Sequence, residues 1–504
     1  MQERTTPQRT LKRVATFLFA LIISFSSILA IKPGFANPKT ETWRIGIDPT
    51  YAPFAYVDPD SGSIQGFDIE LTEAISREAN RPFELVPLPF DGLIPALQTR
   101  SIDFAISAMT ITLPRSRAVD FSQPYFKAGQ GLITSTSPSA PANKNDLKGK
   151  TIAVVLGSLG SDVAKKQFKE SEITHFSSAP LALKAVADGI VDAAIEGSPA
   201  VKYSIDHGGL KGIKILDANL TDDYYGGAFP PYSKELEVFN KALDKTIESG
   251  QYRKIYEKWF NESPPALPKT APVLSGENDA LQKLELRKTL TSLSKGLGVT
   301  ILLTIVTATL GLCGAAILVW LGKLELAPIS VSCRLFVELL RGTPILIQLF
   351  IVYFGLPGIL HHLEIPITID KWTASIATLS LNAAAYGSEI LRGAIDSIDP
   401  GQQEAADSLG FAPSQSMRWI IAPQALKIAL PGLGNQFITL IKDTSLVAVI
   451  GLNELFRDGQ LVVASTYRAF EVYILVAIIY LALTSSSSVL FKQLEKRYAP
   501  ATSR

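Results

Sequence analysis

From Gly296 to Gly322 the chain runs for about 27 residues without a charged side chain. Crossing the hydrocarbon of a bilayer takes roughly 20 apolar residues in a helix. Backbone polar groups at that depth must be satisfied within the protein, which leaves a spanning helix as the natural form of such a run. Four more candidates follow: Gly342 to Leu360 with further helix before it, Trp372 to Ser388 continuing to about Ala394, Ile428 to about Asn453, and Val472 to Phe491. The second half of the chain is therefore expected to be an all-α membrane domain of five transmembrane helices. The first half, to about residue 290, has no comparable run after its first 30 residues. The mean hydropathy of +0.21 averages two unlike halves.

The spans alternate in direction. With residue 290 outside, Lys323, Arg334, Arg392, Arg418, Lys427, Lys492, Lys496 and Arg497 fall inside, and Lys371, Arg457 and Arg468 outside. That bias agrees with the positive-inside rule. The same orientation makes a charged insertion, residues 396–427, a cytoplasmic loop. Within it Glu404, Ala405 and Ala406 read as a short helix with a small face, able to enter a groove, that Gly410 ends. Arg341, Lys442 and Asp443 sit at or near membrane depth, where charges are costly and usually functional. They are candidates for a translocation path, and Lys442 and Asp443 could pair with each other.

At the other end, Arg4, Arg9, Lys12 and Arg13 precede an apolar run from Val14 to Ala30, then Gly34-Phe35-Ala36. This is the pattern of a signal peptide over residues 1–36, with an uncleaved anchor as the alternative. Residues 41–262 are then exported. In them short apolar strands (Trp43–Asp48, Ile102–Met109, Leu147–Leu156, Ala193–Ile195) alternate with helical patterns opening at Gly66, near Ser161–Phe168 and near Leu181–Asp188. That alternation predicts an α/β fold with largely parallel sheets, whose ligands bind at the carboxyl ends of strands. Asp48, Thr110, Ser158 and Glu196 follow strand ends. Residues 263–289 begin Ser-Pro-Pro and read as a semi-rigid linker, with a short amphipathic helix near Asn278–Lys288. A net charge of +1 and the absence of a basic, aromatic-rich patch give no case for nucleic acid. Both cysteines, Cys313 and Cys333, lie in the apolar half, and the four histidines have no metal-ligand spacing.

Several ordered motifs carry a resemblance. Asp48-Pro-Thr-Tyr51-Ala-Pro-Phe54, Gly66-Phe67-Asp68, Phe90-Asp91-Gly92-Leu93, Met109-Thr110-Ile111-Thr112-Leu113-Pro114-Arg115 and Asp120-Phe121-Ser122-Gln123-Pro124-Tyr125 are similar to those of the polar amino-acid-binding proteins of bacterial importers. The resemblance implies a two-lobed, periplasmic-binding-protein-like domain (type II), with crossover strands near Phe126–Ile133 and Tyr224–Phe229. It also implies roles. Arg115 would hold an α-carboxylate with a bidentate fork, helped by Thr110 and the backbone around Ala108, and Ser158 matches a hydroxyl of the second lobe. Glu196, where the family usually has Asp, would meet the α-ammonium. Tyr51 and Phe90 would sandwich the side chain, and Asp48 would face its far end, disfavouring acidic substrates.

In the second half, Glu404-Ala405-Ala406 with Gly410, Ile421-Ala422-Pro423, Glu338-Leu-Leu-Arg341-Gly342-Thr343-Pro344 and Ile441-Lys442-Asp443-Thr444-Ser445-Leu446 resemble polar amino-acid permeases of the ATP-binding-cassette (ABC) importers, type I. The resemblance runs from about 290 to 497. It implies a multi-pass protein of the bacterial inner (plasma) membrane with its binding domain on the periplasmic or extracellular side. It implies an amino acid of the glutamine, arginine, lysine and histidine class as substrate, a homodimer through the permease domain, and a separate cytoplasmic ABC ATPase docked on residues 404–410. Lys148-Gly149-Lys150-Thr151 lacks the upstream glycine of a phosphate loop, Lys144 standing there, so ATP belongs to the partner and this chain needs neither cofactor nor catalytic residue. The competing reading is a ligand-gated ion channel of the glutamate-receptor type. Its pore segments would interrupt the binding domain, and residues 41–262 are uninterrupted.

Overall fold

The computed structural model describes residues 42–207, 210–270, 286–324, 327–357, 359 and 369–498. The export segment, most of the linker, the expected helix near Asn278–Lys288 up to residue 285, and the His361-His362 pair fall outside those residues; Leu286–Lys288 belong to the first long helix of the second half. The strands in chain order are β1 (Trp43–Ile47), β2 (Thr50–Tyr51), β3 (Ala55–Val57), β4 (Ile64–Gln65), β5 (Phe83–Pro87), β6 (Phe104–Ala105), β7 (Asp120–Ala128), β8 (Gln130–Ser135), β9 (Thr151–Val155), β10 (Glu172–Phe176), β11 (Ala193–Gly197), β12 (Ile213–Asp217) and β13 (Asp223–Phe229). They form two five-stranded sheets, ordered β5-β1-β6-β13-β7 and β10-β9-β11-β8-β12, and a small sheet of β2, β3 and β4. The first sheet is parallel where β1 meets β5 and β6, the second where β9 meets β10 and β11. The lobes are α/β, as the alternating pattern predicts, but the sheets are mixed and not largely parallel: β13 runs antiparallel to β6 and β7, and β8 antiparallel to β11 and β12.

The lobes are joined where β7 passes into β8 and where β12 passes into β13. The two passages run side by side: Gln130 N–H donates to Thr221 Oγ1 (2.8 Å) and Leu220 N–H to Gln130 O (2.8 Å). The first crossover falls as expected, within 126–133. The second lies earlier than expected, at 218–222, because β13 belongs wholly to the first sheet, paired with β7 from Asp223 to Phe229. The expected strand over Ile102–Met109 shrinks to β6, and β9 begins only at Thr151, after a 3-10 turn at Lys144–Leu147. Lobe 1 closes around an aromatic core in which Phe54, Phe67, Phe104, Phe126, Phe229 and Phe239 are fully buried. Edge-to-face pairs such as Phe54–Phe126 (4.9 Å, 88°) add about 1 kcal/mol each beyond area burial.

The helices, numbered in chain order, begin in the lobes with α1 (Phe67–Ala79), α2 (Phe90–Gln98), α3 (Leu113–Ser116), α4 (Leu159–Gln167), α5 (Ala179–Ala187), α6 (Ser198–Asp206), α7 (Glu235–Glu248) and α8 (Gln251–Phe260). The membrane half holds α9 (Leu286–Gly322), α10 (Ala327–Gly342), α11 (Ile345–Phe350), α12 (Lys371–Asp396), α13 (Pro400–Ser408), α14 (Pro413–Ser416), α15 (Ala422–Asp443), α16 (Leu455–Thr466) and α17 (Ala469–Tyr498). α9 and α12 run in the same direction, with Gly311 against Ala383 and Ala315 against Gly387. Such small residues let backbones approach closely, as expected of helices packing in lipid.

By length and composition α9 and α17 can each cross a membrane. A bent pair, Pro328–Gly342 with Ile345–Gly355, is a third candidate. Two of the expected spans are not continuous helices. The second is broken by 107° at Gly342-Thr343-Pro344, since Pro344 supplies no N–H and disfavours helix in the residue before it. The fourth ends as α-helix at Asp443, continues as a 3-10 turn (Thr444–Ile450) and stops at Gly451 in left-handed backbone (φ 79°).

The lobes rest on the helical half. Lys371 Nζ, at the start of α12, donates to Glu172 Oε1 (2.7 Å). Arg457 Nη2 donates to the His175 carbonyl (2.6 Å). Gly451 lies so near that a Cβ there would come within 2.7 Å of the same carbonyl. All three touch β10. The far ends of α12 and α15 carry α13 and α14 between them, so the polar loop is separated from the lobes by the length of α12, about 39 Å for 26 residues.

Candidate functional site

One cleft between the lobes is lined by all eight residues proposed from sequence: Asp48, Tyr51, Phe90, Ala108, Thr110, Arg115, Ser158 and Glu196. Local structure explains their meeting. Asp48 follows the end of β1, Phe90 begins α2, Arg115 sits in the single turn α3 capped by Thr112, and Ser158 caps α4. Glu196 lies inside β11, one residue before its end and not past it as expected. Thr50, Ser107, Gln130 and Tyr225 also line the cleft. Sequence reasoning missed them as cleft-lining residues, although Gln130 and Tyr225 stand in the segments proposed as crossovers, which must pass the cleft floor.

Charge is arranged at opposite sides of the space. Glu196 Oε1 accepts from Tyr51 OH (3.1 Å) and from Gly197 N–H (2.9 Å). Its Oε2 is buried and has no hydrogen-bond partner among the described residues. Burial pushes the Glu196 carboxyl from 4.5 up to about 7, against the pull of those two donors and with a further push from Asp48. An α-ammonium placed at Oε2 would complete this carboxylate. Arg115 Nη1 donates to the Thr110 carbonyl (2.8 Å) and Nη2 to the Gly157 carbonyl of the other lobe (2.9 Å). Its guanidinium carbon lies 5.2 Å from the centroid of the Phe90 ring. The Tyr51–Glu196 and Arg115–Gly157 bonds both cross between lobes, so the cleft is closed.

Three assignments change in detail. The Ala108 N–H is not aimed at the cleft: it donates to Asp68 Oδ2 (2.8 Å), which Tyr125 OH also approaches (3.1 Å). The Thr110 hydroxyl donates to Asp223 Oδ2 (3.3 Å). Asp48 doubles as a local organiser, because Oδ1 accepts from Thr50 N–H (3.0 Å) and Thr50 Oγ1 (2.7 Å), and Oδ2 from Phe90 N–H at the start of α2 (3.1 Å). Burial raises the Asp48 carboxyl and those bonds oppose the rise. Ser158 Oγ accepts from Ser161 N–H (3.3 Å), which leaves its own proton free to be donated into the cleft beside the N-terminus of α4.

In the helical half, Arg341 Nη1 lies 3.5 Å from Glu389 Oε2, which Arg392 holds more closely at 2.7 Å. Lys442 and Asp443 stand where α15 gives way to the 3-10 turn, and no ion pair joins them among the described residues. α13 is capped by Asp399, whose side chain accepts from Gly401 N–H (2.8 Å), and Gly410 follows its end with φ 76°. The two alanines do not share a face. Ala406 is fully buried in the loop and Ala405 is exposed. The outward surface is Glu404, Ala405 and Leu409, the last 76% exposed. Gln403 Oε1 accepts from Ser416 Oγ (2.8 Å) and Gln402 Oε1 from Gln424 Nε2 (3.0 Å), which fasten α13 to the end of α14 and the start of α15.

Comparison with known proteins divides the chain at the same place. Residues 43–262 match the bacterial extracellular solute-binding proteins of family 3, and residues 327–500 the binding-protein-dependent transport system inner membrane component. The chain is 44% identical over 162 residues to the glutamine transport system permease protein GlnP of Escherichia coli (strain K12), covering 32% of this chain and 72% of that one. It is 36% identical over 203 residues to the arginine transport system permease protein ArtQ of Bacillus subtilis (strain 168), covering 40% and 90%. Among solved structures it is similar to the arginine-, lysine-, histidine-binding protein ArtJ of Geobacillus stearothermophilus, with 34% identity, a TM-score of 0.42, and coverage of 44% of this chain and 97% of that one.

Proposed function

Because this chain belongs to the amino-acid importers of the ABC class, as a solute-binding domain fused to its permease, we propose that its cleft takes one polar or basic L-amino acid by both α-groups. Arg115 and Ser158, with the N-terminus of α4, hold the carboxylate. Glu196 holds the ammonium. Tyr51 and Phe90 flank the side chain, and the negative charge of Asp48 favours glutamine, arginine, lysine or histidine over acidic residues. The observation that carries this reading is Glu196 Oε2, a buried carboxylate oxygen without a hydrogen-bond partner among the described residues, in a cleft whose other charged anchor is a guanidinium. A relative named for glutamine and another named for arginine agree with that substrate class.

The transport logic follows from the separation of ends. The exported domain, residues 41–262, sits outside the cell at the starts of α9 and α12, and the linker 263–289 keeps it at a high effective concentration over its own permease. Residues 290–497 form the permease. The outward face of α13, with Glu404, Ala405, Leu409 and Gly410, meets a separate cytoplasmic ATPase at the opposite membrane surface. Two copies of this chain pair through their permease domains to complete one path, which Arg341, Lys442 and Asp443 border. Calorimetry of the full chain in lipid nanodiscs against the common amino acids tests the site. A basic or amide amino acid should bind, and Arg115→Ala should abolish that binding. Near-normal affinity in Arg115→Ala would remove the carboxylate assignment.

A further inference from the structure

The turn between α16 and α17 reaches into the receptor. Tyr467 takes left-handed backbone (φ 56°, ψ 24°) and closes α16 by donating its N–H to the Val463 carbonyl (2.7 Å). A bulky aromatic rarely adopts that conformation. Such strain persists where the surroundings over-determine it. Here it turns the side chain away from the helical half and into lobe 1, where the ring packs on the cluster that holds Leu93, Ile94 and Met109. The hydroxyl lies near the Arg115 guanidinium, close to Asp162 of α4. One turn earlier, Ala464 lies beside Gly157: a Cβ on Gly157 would come 3.8 Å from Ala464 and 3.6 Å from Asp91. This is where the lobes touch and where Arg115 Nη2 donates to the Gly157 carbonyl.

The donors of Arg115 are therefore turned away from a substrate. A carboxylate is held best by two parallel N–H groups of one guanidinium. In this docked, closed arrangement Nη1 serves Thr110 O, Nη2 serves Gly157 O, and a permease phenol stands at the same guanidinium. We propose that Tyr467 is the residue by which the permease loosens its receptor's hold on the amino acid. In the docked state its hydroxyl competes with the substrate carboxylate for Arg115. The phenol is neutral and intrinsically the weaker acceptor, but it is carried on the same chain and needs no diffusion to compete. The inference rests on the reading of Arg115 as carboxylate ligand. It adds that an outer loop of the permease acts directly on that ligand, not only on lobe closure.

The test uses the full chain with its ATPase in proteoliposomes, comparing wild type with Tyr467→Phe. Phenylalanine keeps the ring packed on Leu93 and Ile94 and removes only the hydroxyl. Hydrogen bonds to charged groups contribute about 1.5–3 kcal/mol, so the variant should release radiolabelled amino acid from the docked state at least about tenfold more slowly. Maximal uptake should fall with it, while the concentration giving half-maximal uptake falls or stays level. Unchanged release and uptake would overturn the proposal, as would reduced uptake with weaker binding, the signature of a merely structural role. Arg115→Lys separates the two readings. If it binds amino acid normally, the carboxylate assignment fails and this proposal with it. If it loses binding while Tyr467→Phe behaves as wild type, only the release role fails.

Discussion

Replacing Glu196 by Gln should separate what this carboxylate costs from what it does. In the ligand-free fold its carboxyl is raised from 4.5 to about 7, first by burial and then by the nearby charge of Asp48. Its preference for the protonated form therefore favours folding at low pH. That contribution fades as pH rises from about 4.5 through about 7, and beyond it the ionised group is a net cost on the order of 3 kcal/mol. A bound α-ammonium reverses the balance, since Oε2 then gains the partner it lacks. Binding must expel a proton wherever the free site is protonated. Affinity should hold from pH 8 to about 7, then fall about tenfold per pH unit, or about 30-fold by pH 5.5. Glu196→Gln should bind far more weakly at pH 8, by about 2–5 kcal/mol for a truncated buried charge pair. It should lose most of the pH slope and make the ligand-free protein more resistant to denaturation at pH 8. Titration calorimetry of the full chain in nanodiscs at pH 5.5, 7 and 8 reads the first two effects. Two other buried carboxyls, Asp68 (about 7) and Asp223 (about 6), titrate nearby, so the variant is the necessary control. A slope that survives in Glu196→Gln, or wild-type affinity in the variant at pH 8, would refute the ammonium assignment.

Other sites give independent outcomes. Asp48→Asn should lower affinity for arginine and lysine by about 1–3 kcal/mol relative to glutamine, the range for losing a charge-assisted contact; an equal loss for every amino acid would mean that Asp48 serves only the Thr50 and Phe90 N–H groups. Glu404→Ala and Gly410→Asp should leave amino-acid binding intact in calorimetry and abolish ATP-driven uptake. The second also places a side chain at φ 76°, which costs about 1 kcal/mol locally. Survival of uptake in both variants would disprove the docking role of α13.

The sequence made the cleft legible because its residues are local features. Asp48, Phe90, Arg115 and Ser158 each stand at a strand end or in the first turn of a helix, and the lobes need only close to bring them together. What stayed hidden depends on distant partners. The Ala108 N–H is taken by Asp68 and Tyr125, and no local pattern foretells a carboxylate on another element. The split between Ala405 and Ala406 is set by how α13 lies on its neighbours. Hydropathy found the membrane half but could not show the 107° break before Pro344 or the change to 3-10 geometry at Asp443, because a run of apolar residues fixes burial and not continuity of the helix. Tyr467 was least readable. Its partner Arg115 is some 350 positions away in the chain, and only docking of the lobes joins them.

The most direct test of the whole account is uptake by proteoliposomes that hold this chain and its ATPase and no other receptor. The account predicts saturable import of a basic or amide amino acid on adding ATP at the side of α13, and no import by Arg115→Ala. Import that requires a separately added binding protein, or that proceeds unchanged in Arg115→Ala, would contradict it.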